Sequence, residues 1–90
     1  MDNPDVTALL GLVDAGWTGE PVGDLAAPVM LVYHRTLPGA EDEVLVIDAG
    51  KVRACRRVGG SVTLPVSGTV AEVVAAVAAW PTVGPFEAVS

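Results

Sequence analysis

The stretch Glu43–Val58, EVLVIDAGKVRACRRV, decides how this chain folds. Two strand-like runs flank Asp48-Ala49-Gly50-Lys51, where Gly50 can supply the positive φ of a tight hairpin turn. A two-residue turn at Ala49-Gly50 sets Asp48 opposite Lys51, Val46 opposite Arg53 and Val44 opposite Cys55. Those six residues then share one face of the sheet. Leu45, Ile47, Val52 and Ala54 share the other, which is wholly apolar and is expected to meet the helices.

Outward from this hairpin the chain alternates between strand and turn chemistry. Val29–Thr36, VMLVYHRT, is rich in β-branched and aromatic residues and reads as a strand. Leu37-Pro38-Gly39-Ala40 is turn chemistry, and Glu41-Asp42-Glu43 reads as a solvated acidic lip. On the far side Gly59-Gly60 is a second hairpin turn. Ser61–Val66 alternates, with Val62, Leu64 and Val66 on one side, and Pro65 restricts this run to a short or edge strand.

Helix signals lie at both ends. Asn3-Pro4-Asp5 combines a capping residue, a first-turn proline and an acid at the positive dipole end, so a helix is expected over residues 4–15. Val6, Leu9, Leu10 and Val13 give it an apolar stripe, and Gly16 stops it. Thr69-Val70-Ala71-Glu72 matches a capping box, predicting a helix from about Val70 to Trp80 that Pro81 ends. Residues 17–28, with two glycines and two prolines, read as a loop tucked on the core by Trp17 and Leu25. Residues 81–90 read as an extended C-terminal arm.

The expected fold is a single α+β domain over residues 1–90. It is a small antiparallel meander of three to four strands between an N-terminal and a C-terminal helix, α-β-β-β-(β)-α, with helices on one face.

Charge narrows the functional classes. The net charge is −6. Residues 1–27 carry five acids and no base, residues 28–57 five bases and four acids, and residues 58–90 two acids. Every base thus lies in the expected sheet, and a net anionic body disfavours nucleic acid. The longest apolar run, Val73–Trp80, falls far short of the roughly 20 residues that span a bilayer. A single cysteine allows no internal disulfide, and the start lacks the basic region of a signal peptide, so a cytoplasmic location is expected. The core-forming residues are mostly valine and alanine, a bias that a high-GC genome also produces. Small side chains bury little area each, so such a core gains from a subunit interface.

Chemistry is thin. His34 and Cys55 are the only histidine and cysteine. Together they lack the third group that nucleophilic catalysis needs to orient a base, and they are too few for a zinc site. Three successive acids at 41–43 cannot all face one ion, and no phosphate-binding or nucleophile-elbow motif occurs. No enzymatic activity, cofactor or metal is therefore expected.

What remains is contact with protein. On the sheet, Val44 and Val46 with Arg53 and Arg57 form an apolar centre ringed by arginine, which Tyr33 and Arg35 join if the first strand has the matching register. The helix after Thr69 has Val70, Val73, Val74, Val77 and Trp80 on one side and alanines on the other. A helix apolar all round is normally buried all round, which points to Ala75, Ala79 and the arm residue Phe86 as contacts. The expectation is an assembly subunit binding a protein partner, itself included, as a homo-oligomer. One alternative is an acidic inhibitor or immunity-type protein that masks a basic enzyme with its N-terminal region. Another is a small-molecule or enzymatic role in a pocket beside the 17–28 loop.

Overall fold

In the computed structural model, which describes residues 4–24 and 26–84, seven elements follow one another. They are α1 (Pro4–Asp14), β1 (Thr18–Asp24), β2 (Ala27–Leu37), β3 (Ala40–Asp48), β4 (Lys51–Val58), β5 (Ser61–Gly68) and α2 (Val70–Ala78). The strands form one antiparallel sheet in the order β1-β2-β3-β4-β5, each paired with its neighbour in sequence. This is the expected helix–meander–helix fold with one strand more, because β1 occupies most of the span read as a loop.

That strand survives its glycines and proline because it lies at the edge. Pro21 removes a donor that an edge strand does not need throughout, and Gly19 leaves room for the Tyr33 ring opposite it. Gly23, at φ +98°, sits where the register shifts. The Asp24 carboxylate then accepts a hydrogen bond from the Ala26 amide at 2.9 Å and tightens the turn into β2. Leu25 lies outside the described residues.

The β3–β4 hairpin departs from the expected register. Asp48 does oppose Lys51, but Val46 opposes Val52 and Val44 opposes Ala54. A bulge at Ile47 supplies the extra residue, and Asp48 Oδ1 accepts from the Gly50 amide at 2.8 Å. Gly50 is not among the residues with positive φ. A one-residue slip exchanges the faces of a strand, so Val44 and Val46 turn into the core beside Val52 and Ala54. Val44 is 0 % exposed. The same slip carries Asp42 inward, correcting the reading of residues 41–43 as a solvated lip.

On β5 the residues Leu64 and Pro65 bulge opposite Cys55, placing Thr63 against Arg56 and Val66 against Ala54. Thr63 is therefore buried, while Val62 and Leu64 are exposed, contrary to the alternation read from sequence. Pro65 does lie in an edge strand, as expected.

Both helices cover the same face. α1 ends at Gly16, φ +99°, where the Trp17 amide donates to the Leu12 carbonyl and the Gly16 amide to the Val13 carbonyl. This termination brings Trp17 against the core with Leu9 and Leu12. Val6, Leu10 and Val13 instead face outward; only Leu9 of the expected stripe is buried. In α2, Thr69 Oγ1 accepts from the Glu72 amide at 3.2 Å while Glu72 accepts from the Thr69 amide at 3.1 Å. That reciprocal cap holds the carboxyl of Glu72 below its usual range. Val70, Val73 and Val77 pack inward, and the alanines 71, 75, 78 and 79 face out. None of the described helices is long and apolar enough to cross a membrane.

Candidate functional site

Three charged residues mark one end of the helix-covered face. Arg35 on β2, Asp42 on β3 and Arg56 on β4 stand in one cross-strand row. Arg56 Nε donates to Asp42 Oδ1 at 2.6 Å, and Arg35 Nη2 donates to Asp42 Oδ2 at 2.7 Å. Arg56 also donates to the Pro81 carbonyl at 2.6 Å, tying the segment after α2 to the sheet. The two guanidinium groups lie over indole rings, Arg35 at 4.5 Å from the Trp17 centroid and Arg56 at 5.6 Å from that of Trp80. Burial pushes the Asp42 carboxyl up, but hydrogen bonds and charge from Arg56 and Arg35 outweigh it and hold it below the usual carboxylate range. Asp42 is 1 % exposed and satisfied, which suits a structural brace rather than a group that meets a ligand.

The opposite face of the sheet carries neither helix. Along its middle run Val32, Leu45 and Cys55, each half-buried among neighbouring side chains. Charges flank them in strand order, with Glu41 and Glu43 on β3 and Lys51, Arg53 and Arg57 on β4. Arg57 Nη1 lies 3.7 Å from Glu43, and His34 Nε2 3.8 Å from Glu20. Arg53 has uncharged cross-strand neighbours, Leu45 and Ser67. Leu45, Cys55, Pro65, Arg53 and Arg57 line a shallow hollow of about 540 Å³. His34 and Cys55 both face this side with β3 between them, in a row with Glu43. Two strand spacings put their backbones about 10 Å apart, beyond hydrogen-bond reach.

On the helix-covered face the β1–β2 margin stays partly open. One cleft of about 480 Å³ runs between the end of α1 and the hairpin, over Val13, Pro21, Leu31 and Tyr33. A second, of about 330 Å³, opens at the start of α1 over Val6, Val29, Leu31 and Ile47. Leu31 belongs to both, so the two follow α1 as one groove. Burial within it pushes the Tyr33 hydroxyl above its usual value.

The residues expected to form one sheet surface are thus divided. Arg53 and Arg57 lie on the bare face, Val44 and Val46 are core, Arg35 belongs to the buried brace, and Tyr33 lies in the groove. Ala75 on α2 and Ala79 at its C-cap are exposed, and Phe86 lies outside the described residues. Sequence reasoning missed Asp42 and Arg56 as buried partners. The signal available was the alternation Ala40, Asp42, Val44, Val46, which puts an acid in phase with the core. No group of three or more metal-ligating side chains occurs among the described residues. In comparisons with protein families, curated proteins and solved structures, the chain matches none of them.

Proposed function

We propose that this chain is a non-enzymatic assembly subunit that pairs with a second copy of itself through the bare face of its sheet. The observation that carries this reading is the sorting of charge on that face, with acids on β3 and bases on the adjacent β4 around an apolar middle. A two-fold axis along the strands, between β3 and β4, stacks each basic strand over the acidic strand of the other copy. Arg57 then lies over Glu41, and Arg53 over Leu45. Sheets packed this way sit about 10 Å apart with their inner side chains interleaved. The footprint, about 19 Å across five strands and some 26 Å along them, is near the small end of specific interfaces, so a concentration-dependent dimer is expected.

Both sheet edges favour face over edge pairing. Pro21 interrupts the donors of β1, and the Leu64-Pro65 bulge interrupts β5. The exposed alanines of α2 offer only methyl groups and bury less per residue.

The test is the mass in solution by light scattering across a range of concentrations. The native chain should reach dimer mass. Leu45→Asp, with an unchanged far-ultraviolet spectrum and melting temperature, should remain a monomer. A native chain that stays monomeric at every concentration overturns pairing.

A further inference from the structure

We infer that the hollow between β4 and β5 on the bare face is a binding site for a small amphipathic carboxylate. A strained bulge, a recess and an arginine without an acid meet there.

The bulge makes the recess. Thr63 pairs with Arg56 and Val66 with Ala54, so Leu64 and Pro65 together stand opposite the single residue Cys55. Leu64 has φ +50°, alone among the described non-glycine residues in holding a positive φ. A Cβ disfavours that conformation, and a leucine that is 38 % exposed recovers little of the cost by packing. Strain of this kind concentrates where a chain presents a site. Pro65 and Cys55 line the resulting hollow of about 540 Å³ with Leu45 and Ser67. The short side chains of Cys55 and Ser67 leave it depth, while Leu45 and Pro65 make it apolar.

The charges choose the occupant. Arg53 and Arg57 stand at i and i+4 on β4, and both line the hollow. Glu43, the one acid on its wall, lies 3.7 Å from Arg57. Arg53 forms no ion pair among the described residues, and its cross-strand neighbours are Leu45 and Ser67. A guanidinium offers a planar fork that a carboxylate fills with two parallel hydrogen bonds. The Ser67 hydroxyl, across the ladder from Arg53, is a further donor. About 13 Å of strand separates the two arginines, room for a tail of about eight carbons over Cys55 and Pro65. A polyanion is a poorer match. The net charge of −6 repels nucleic acid and an anionic membrane over their whole length. A single carboxylate seated on Arg53 is screened from acids farther than about 8 Å.

The site is built by one chain and does not rest on pairing. In the pairing proposed above, Arg53 lies over Leu45 of the second copy and gains no anion. The carboxylate and the second copy therefore compete for one face, and the ligand acts as a signal for release.

The probe is octanoate, titrated into the full chain labelled with nitrogen-15 while the reaction of the Cys55 thiol with a disulfide reagent is followed. Because the hollow is open on one side, saturation is expected in the low millimolar range. Amide shifts should centre on Leu45, Arg53, Cys55 and Ser67, and the thiol should react more slowly when the site is filled. Octanol, with the same tail and no charge, should bind about tenfold more weakly. Arg53→Gln should weaken octanoate binding by a similar factor, and Arg53→Lys should recover part of the loss. The octanol comparison needs no variant and so decides the matter should Arg53→Gln unfold. If the native chain pairs at these concentrations, octanoate should lower its mass toward the monomer in light scattering. If it stays monomeric, the shifts and the slowed thiol remain expected. The proposal is overturned if none of spectrum, thiol rate and mass responds to octanoate, or if octanol binds as tightly. It is also overturned if folded Arg53→Gln binds unchanged, or if the shifts map to the clefts beside α1.

Discussion

Arg56 and Asp42 face each other directly across the β3–β4 ladder, Nε to Oδ1 at 2.6 Å, while Arg35 holds the other oxygen from β2. One buried acid therefore fixes three central strands against sliding. Removing it leaves two guanidinium groups without their shared anion. Asp42→Asn is expected to cost about 3–5 kcal/mol in urea denaturation, the usual penalty for breaking a buried pair on one side. Replacing the row together, as Asp42→Leu with Arg35→Met and Arg56→Met, should cost much less. A single Asp42→Asn variant within about 1 kcal/mol of the native chain would remove the brace from this account.

The same carboxyl sets an acid limit. Its value in the folded chain lies below that in the unfolded one, so its contribution is complete above the unfolded value, about 3.9. It is lost as pH falls through the folded value. Native stability should decline on acidification below about pH 5, and Asp42→Asn should shallow that decline. Glu72, also lowered, acts in the same direction and remains in both proteins. Identical acid limbs for the two chains would contradict the assignment.

Gly19 and Tyr33 form the second coupled pair. A Cβ on Gly19 would fall 2.5 Å from Tyr33 Cε1, closer than atoms pack. Gly19→Val should therefore displace the ring and lower stability by about 1–3 kcal/mol, as overpacking does. Tyr33→Leu should recover part of that loss in a double-mutant cycle. Additive effects would mean that the ring does not press on Gly19.

The helix ends were readable because their signals are local. Thr69 with Glu72, and Gly16 before Trp17, specify caps from neighbouring residues alone. The strands were readable as elements but not as faces. The register of β3 depends on whether Ile47 bulges, and that choice is made by the core that Val44, Val46 and Val52 build with α1 and α2. β1 was hidden because its glycines and proline are tolerated only at an edge, a position that no local pattern records. The candidate surfaces inherited both errors, which is why Val44 and Val46 changed sides while Arg53 and Arg57 did not.

The meander pairs only neighbours in sequence, so five strands can assemble as successive hairpins while the chain is being made. Their apolar side, with Val44, Val46 and Val52, must nonetheless wait for α2, which leaves the ribosome after all five strands. Until then the nascent sheet is one-sided and sticky, held by α1 alone. A chain stopped before Thr69 is accordingly expected to lack a cooperative melting transition, and a sharp one would mean that α1 suffices. Fast local pairing followed by later closure makes α2 the step at which this sheet is either covered or lost to aggregation.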